Sequence, residues 1–135
     1  MNRWLIKSDP EEYGWELMQK EKTTLWTGVR NYQARNNLRL MKKGDELLFY
    51  HSNIDMAIVG LCKLNKEAQP DPTATEGDWS CVEIKAIRSL AKPVTLSQIK
   101  AHEDLQQFGL VRNARLSVMP VSEKEWQAIS DMAGE

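Results

Sequence analysis

Apolar residues in this chain gather in short runs that have the length of β-strands. In the segment Glu46–Ser52 the run Leu47-Leu48-Phe49-Tyr50 puts apolar side chains on both faces, so both faces of that strand are expected to be covered. Two further segments, Met56–Leu64 and Trp79–Ile87, show the same pattern, and the loop between them is rich in proline and small polar residues. The other strands are predicted at Trp4–Ile6, Thr23–Val29, Met56–Leu64, Trp79–Ile87 and Leu116–Met119.

Helix signals lie between these strands. Asp9 can cap a first helix, with Pro10 in its first position and Tyr13 on its buried side. A second helix is predicted over Asn31–Met41, because its apolar residues Ala34, Leu38 and Met41 form one helical stripe. Two more helices open with capping boxes, at Thr95–Gln98 and Ser122–Glu125. Strands and separated helices, without repeats or a linker, predict one α+β domain over residues 1–135, a small barrel flanked by helices.

Composition narrows the class of protein. A chain of 135 residues can bury a core without a metal or a disulfide. The cysteines Cys62 and Cys81 stand apart in apolar runs and are expected in the core, so neither a metal nor a cofactor is expected. No segment approaches the roughly 20 apolar residues of a membrane span, and the N-terminus does not resemble a signal peptide. We therefore expect a cytoplasmic protein that is a monomer or a weak dimer.

The net charge of −1 argues against bulk electrostatic coating of nucleic acid, but the charges are unevenly distributed. Between Arg30 and Lys43 there are five basic residues and no acidic one, whereas acids gather in other segments such as Asp71–Asp78. One helical stripe of this segment carries Arg35, Arg39 and Lys42. Such a run can be a solvated helix face, but its lack of interspersed acids and its position behind Trp26 favour phosphate binding by Arg30, Arg35, Arg39 and Lys42.

The segment Leu25–Asn31 carries the groups that a nucleobase requires. An aromatic face can stack on an unpaired base, glycine allows a close backbone approach, and an amide can read a base edge. Trp26, Gly28 and Asn31 provide these groups. Core packing is the alternative for Trp26, as it is for Trp4 and Tyr50, and core packing is the favoured interpretation for Trp15, Trp79 and Trp126.

Catalytic patterns are weak in this chain. His51 and Ser52 are adjacent in a predicted strand, so their side chains point to opposite faces and the histidine cannot easily activate the hydroxyl. Sequences typical of serine hydrolases, zinc peptidases or phosphate-binding loops do not occur. The sequence therefore favours a binding protein over an enzyme.

Four segments resemble the successive signature blocks of the EVE domain. They are Trp4–Pro10, Trp26–Asn36, Phe49–Ser52 and Arg115–Pro120, in the expected order along nearly the whole chain. The EVE domain belongs to the PUA-like fold and is related to YTH and ASCH domains. The resemblance implies a mixed β pseudo-barrel flanked by helices and a pocket for a nucleobase.

The resemblance also implies which residues line that pocket. EVE domains are associated with modified cytosines in DNA, and YTH domains with methylated adenine in RNA. Carried over to this chain, the expected pocket residues are Lys7, Ser8, Trp26, Val29, Arg30, Asn31, Tyr50, His51, Ser52, Arg115, Leu116 and Ser117.

The leading hypothesis is a non-catalytic module that binds DNA or RNA and accommodates one modified base. Trp26 or Tyr50 would stack on the base, while Asn31 and Ser117 would hydrogen-bond its edge. Two alternatives stay open. One is an enzyme or sensor acting on a small nucleoside-like ligand in the same pocket. The other is a protein-interaction module that uses the basic face.

Overall fold

The computed structural model describes all 135 residues and contains six strands and six α-helices. The strands are β1 (Arg3–Ser8), β2 (Thr23–Trp26), β3 (Glu46–His51), β4 (Ala57–Pro70), β5 (Ser80–Thr95) and β6 (Val118–Pro120). The helices are α1 (Pro10–Tyr13), α2 (Trp15–Glu21), α3 (Tyr32–Leu40), α4 (Leu96–Ala101), α5 (Gly109–Arg112) and α6 (Glu123–Ala133), with a short 3₁₀ helix at Glu103–Leu105. No helix is both long and apolar enough to cross a membrane.

The strands form one mixed sheet in the order β2-β5-β4-β3-β1-β6. Strand β1 runs parallel to β3, and all other neighbours are antiparallel. The edge strands β2 and β6 do not pair, so the sheet is not closed by hydrogen bonds. It is nevertheless curled, because the ring of Trp26 in β2 lies 5.7 Å from that of Phe49 in β3, although β5 and β4 separate these strands in the sheet. The predicted α+β mixed sheet with flanking helices is confirmed.

Burial on both faces of the central strands builds the core. Leu5, Ile6, Leu47 and Phe49 have no exposed surface, although neighbouring residues point to opposite faces of the sheet. Cys62 and Cys81 are buried and unpaired, as predicted for core cysteines. The two-sided apolar pattern of the sequence thus reports a sheet that is covered on both faces.

The long hairpin of β4 and β5 extends well beyond the predicted strands. The sequence predicts strand ends at Leu64 and Ile87, where the apolar runs stop. The backbones nevertheless pair out to Pro70 and Ser80 at one end and to Ala57 and Thr95 at the other, with several register shifts. Polar side chains on the outer part of the hairpin conceal this pairing from a pattern of apolar residues.

The first predicted helix is divided at Gly14. This residue has extended backbone angles, with φ −91° and ψ 172°, and separates α1 from α2. The backbone N–H of Trp15 donates to Nε2 of His51 at 2.9 Å, so a distant side chain takes the place of a helical carbonyl. Asp9 caps α1 by accepting from the N–H of Glu11, as predicted.

The other helix starts agree with their sequence signals. The side chain of Asn31 accepts from the N–H of Ala34 at 2.9 Å and so caps α3, which makes Asn31 the residue before the helix. Thr95 and Ser122 form complete capping boxes with Gln98 and Glu125. The Asn31 cap fixes where α3 begins beside the strand ends, and that position defines the candidate site.

Candidate functional site

A cavity of about 590 Å³ lies between the end of β1, the start of α1, β2 and the segment that leads into α3. Its volume falls within the roughly 300–1,000 Å³ of small-molecule sites. Strands β1 and β2 are far apart in the sheet, and the curl of the sheet brings both to the cavity. The lining residues are Lys7, Ser8, Asp9, Glu12, Tyr13, Thr24, Leu25, Trp26, Thr27, Gly28, Val29, Arg30, Asn31 and Ser117.

The structure brings together part of the residue set expected from the sequence. The expected residues that line the cavity are Lys7, Ser8, Trp26, Val29, Arg30, Asn31 and Ser117. The expected residues that do not line it are Tyr50, His51, Ser52, Arg115 and Leu116. The end of β3 therefore does not line the cavity. Helix α1 lines it instead, through Glu12 and Tyr13.

Residues at the end of β3 serve the fold and not the cavity. Tyr50 is only 3% exposed and belongs to the core. His51 is buried, with Nε2 accepting from Trp15 and Nδ1 bonded to Asp55 at 2.9 Å. Ser52 holds the strand end through its backbone N–H, which donates to the carbonyl of Ser8. These side chains differ from the expectation because both faces of β3 are covered.

The segment before β6 contributes less than expected. Leu116 is 4% exposed and packs in the core, and Arg115 is exposed in the preceding turn, outside the cavity. Only Ser117 reaches the cavity with its own atoms, and its carbonyl accepts from the N–H of Lys7. The carbonyl of Ala114 also supports the site, since it accepts from Nζ of Lys7 at 2.8 Å.

Trp26 provides the aromatic surface of the cavity. Its ring meets Phe49 and Tyr13 in T-shaped contacts, with centroid distances of 5.7 and 5.8 Å. These contacts fix the indole, and the ring still lines the cavity. Trp26 is therefore both anchored to the core and available to a flat ligand.

Tyr13 is a lining residue that the sequence placed on the buried side of a helix. Its hydroxyl donates to Oε1 of Glu21 at 2.5 Å. Burial and this carboxylate raise the pKa of Tyr13 to about 12, so the phenol stays protonated at neutral pH. No local motif marks this residue, because α1 and β2 meet only in the folded chain.

Hydrogen-bond donors and acceptors both face the cavity. Burial lowers the pKa of Lys7, and its ammonium has donors left after bonding to Ala114. Asn31 uses its side-chain oxygen for the helix cap, which leaves the NH₂ group as its free end. Asp9 and Glu12 add carboxylates to the same lining. The cavity can therefore bind a flat molecule whose edge carries both acceptors and donors.

A buried carboxylate in the loop between β4 and β5 organises the segment after β2. Oδ2 of Asp71 accepts from the backbone N–H of Gly28 and from Arg30, each at 2.9 Å. Its Oδ1 accepts from the N–H and the hydroxyl of Thr73. Burial alone would raise the pKa of Asp71, but the hydrogen bonds from Thr73, Gly28 and Arg30 outweigh it and hold the pKa well below its usual range.

Arg35 and Arg39 of the basic stripe of α3 are hydrogen-bonded to Asp78, in the acidic segment Asp71–Asp78. Arg39 contacts Oδ1 of Asp78 at 2.8 Å and the hydroxyl of Ser80 at 2.9 Å, and Arg35 donates to the carbonyl of Asp78. The carboxylate of Asp78 is 80% exposed, so this pairing is weak. Lys42 lies beyond the other end of α3, in a surface depression away from the cavity.

Trp79 lies outside the core, which corrects its expected role. Its ring stacks on that of Tyr32, with the centroids 5.0 Å apart and the planes at 20°. The guanidinium of Arg35 lies 5.0 Å from the centre of the Tyr32 ring, and that of Arg30 lies 5.6 Å from the centre of the Trp79 ring. An aromatic and cationic cluster thus stands beside the cavity.

A curled mixed sheet with flanking helices and a cavity at the strand ends defines a PUA-like domain. An ASCH protein of Zymomonas mobilis shares this fold, with a TM-score of 0.63 at 12% identity over 96% of this chain and 94% of that one. Within this class the chain belongs to the EVE domain family, whose model matches residues 2–132. The family resemblance seen in the four sequence blocks is confirmed.

Relatives of known name and structure cover almost the whole chain. Thymocyte nuclear protein 1 of the mouse is 37% identical over 162 aligned positions, which span 95% of this chain and 72% of that protein. A crystal structure from Agrobacterium tumefaciens has a TM-score of 0.96 at 44% identity, covering 99% and 94% of the two chains. The human THYN1 protein, in complex with DNA that contains 5-methylcytosine, has a TM-score of 0.88 at 34% identity, covering 100% and 99%.

Proposed function

We propose that this protein binds DNA and holds one modified cytosine base, such as 5-methylcytosine, in the cavity beside Trp26, without catalysing a reaction on it. The observation that carries the proposal is the composition of the cavity, in which an anchored indole lies among donors and carboxylates. The complex of the human THYN1 protein with DNA that contains 5-methylcytosine supports the choice of ligand.

The chemistry of cytosine matches the groups in the cavity. Its pairing edge has oxygen and nitrogen acceptors and an amino group that donates. Lys7 and the free NH₂ of Asn31 are donors for the acceptors, and Asp9 or Glu12 can accept from the amino group. A methyl group at position 5 is apolar and would pack against Leu25 and Val29, which also line the cavity.

The base must leave the helical stack to enter the cavity, so the substrate is single-stranded DNA or a flipped nucleotide. Phosphates on either side of it would bind the guanidinium donors that internal hydrogen bonds leave free on Arg30, Arg35 and Arg39, with Lys42 available to a longer strand. Arg39 would then exchange the exposed carboxylate of Asp78 for a phosphate at little cost.

Fluorescence anisotropy with short single-stranded oligonucleotides tests the proposal. One oligonucleotide carries a single 5-methylcytosine and its partner carries cytosine at the same position. The wild-type protein is expected to bind the methylated strand more tightly. Lys7→Met is expected to weaken binding at least about 10-fold, because a charge-assisted hydrogen bond is lost. Lys100→Met, which removes an exposed charge on α4, is the matched control and is expected to change nothing.

Three outcomes would contradict the proposal. Equal binding of both oligonucleotides would refute recognition of the modification. Equal effects of Lys7→Met and Lys100→Met would show that the cavity is not the site. Free 5-methyl-2′-deoxycytidine binding as tightly as the oligonucleotide would instead favour the small-ligand alternative.

A further inference from the structure

An aromatic pair, the exposed Tyr32 and the half-buried Trp79, stands outside the cavity at its rim. Tyr32 is 67% exposed, although it is a large side chain at the first position of α3. Neither ring lines the cavity, but Tyr32 follows Asn31, which does. Because Arg30 also lines the cavity and its guanidinium lies 5.6 Å from the centre of the Trp79 ring, the pair is within reach of a nucleotide next to one held in the cavity.

The two rings are held in a nearly parallel arrangement. Their planes meet at 20° with the centroids 5.0 Å apart, and the guanidinium of Arg35 lies 5.0 and 5.8 Å from the centres of the Tyr32 and Trp79 rings. Arg30 lines the cavity, and its guanidinium lies 5.6 Å from the centre of the Trp79 ring. The cluster fixes the orientation of Tyr32 without covering it.

The exposed aromatic surface of this cluster is free to bind a ligand, whereas its guanidinium groups already make several hydrogen bonds. The guanidinium of Arg30 is engaged by Asp71 and Thr73, and that of Arg35 donates to the carbonyl of Asp78 and the side chain of Asn36. An acidic peptide would have to displace these bonds. A nucleobase needs only a flat face, and stacking on aromatic rings is tolerant of base identity.

We propose that Tyr32, supported by Trp79, stacks on a base adjacent in the strand to the one in the cavity. This inference rests on the proposed function. A base that leaves the stack exposes the face of its neighbour, and the ring of Tyr32 replaces the lost stacking partner. The platform therefore adds affinity without reading the modification, while the cavity reads it.

Alanine substitution of Tyr32 tests the platform with a matched set of oligonucleotides. The first carries 5-methylcytosine between natural bases, and the others have an abasic site on the 5′ side, the 3′ side or both. Tyr32→Ala is expected to weaken binding of the first about 10-fold, within the range known for one stacked base. The loss is expected to vanish when the stacked neighbour is abasic, and Tyr32→Phe is expected to bind like the wild type.

Leu40→Ala is the control, since Leu40 is 60% exposed on the same helix and far from the rim. Equal binding of Tyr32→Ala and Leu40→Ala would overturn the platform, as would a loss that persists when both neighbours are abasic. The preference of wild type for 5-methylcytosine over cytosine is read in the same titrations. If that preference holds while Tyr32→Ala is silent, only the platform fails; if wild type shows no preference, the proposed function fails and the platform with it.

Discussion

The buried carboxylate of Asp71 accepts a hydrogen bond from the backbone N–H of Gly28 at 2.9 Å. Gly28 has φ +83°, a conformation that favours glycine, and it follows directly on the segment that carries Trp26. The loop between β4 and β5 thereby holds the wall of the cavity through one acceptor. The same oxygen binds Arg30, so the position of the first basic residue depends on it as well.

Removal of this acceptor is expected to cost stability. Asp71→Ala leaves the N–H of Gly28 and the guanidinium of Arg30 without their partner, and it should lower the free energy of unfolding by about 2–3 kcal/mol. Asp78→Ala is the control, because its exposed pairing with Arg39 is worth less than about 1 kcal/mol. Urea denaturation of both variants measures the difference, and equal losses would refute the special role of Asp71.

The stabilisation from Asp71 should depend on pH. Its pKa is lowered in the folded protein, so the folded state gains from the ionised form. This gain is complete above the unfolded pKa of about 3.9 and is lost progressively as the pH falls below it. The difference in unfolding free energy between wild type and Asp71→Asn is therefore expected to be constant from pH 7 to 5 and smaller at pH 3. A difference that grows on acidification would contradict this.

Packing of Trp15 against Gly60 gives a prediction about the core. A Cβ atom at Gly60 would lie 2.3 Å from the ring of Trp15, so Gly60→Ala forces the indole to move. We expect the free energy of unfolding to fall by about 1–3 kcal/mol. At Gly14 the nearest atom would lie 3.4 Å away and φ is negative, so Gly14→Ala should stay within about 0.5 kcal/mol. Thermal unfolding that ranks the two variants in the opposite order would show that Trp15 is not packed this way.

Arginines of α3 are expected to contribute affinity without selectivity. The double substitution Arg35→Ala and Arg39→Ala should weaken binding of methylated and unmethylated oligonucleotides by the same factor. Each lost phosphate contact should also reduce the slope of log affinity against log salt by about 0.7 for a single strand. Titrations at several salt concentrations measure this slope. Arg88→Ala with Lys92→Ala removes the same charge from β5, and an identical slope change in that control would assign the effect to net charge.

The features that could be predicted from the sequence are those whose interacting residues lie close together along the chain. Asn31, Thr95 and Ser122 cap helices through hydrogen bonds to residues three positions away, so both partners of each bond are visible in a short segment. The two-sided apolar pattern of β3 likewise predicted a covered strand. Family blocks then placed Lys7 and Ser117 with Trp26, although they are distant in sequence.

The features that could not be predicted from the sequence depend on contacts between segments that are distant in the chain. The bond between Arg30 and Asp71 joins residues 41 positions apart, and nothing near either residue announces it. Tyr50 was expected in the pocket from the family resemblance, but neither the resemblance nor the alternation of strand residues shows what covers the face on which Tyr50 lies. Tyr13 and Trp79 were assigned to the core because aromatic composition alone does not distinguish a packed ring from one at the rim of a cavity.

In the proposed complex the methyl group of the modified cytosine lies in the cavity beside Trp26. Nuclear Overhauser effects measured on the complex with an oligonucleotide that carries a ¹³C-labelled 5-methyl group test it most directly. We expect contacts from this methyl group to protons of Trp26, Leu25 or Val29, and their loss when an excess of the unlabelled oligonucleotide displaces the labelled one. Methyl contacts only to residues outside the cavity, such as those of α6, would contradict it.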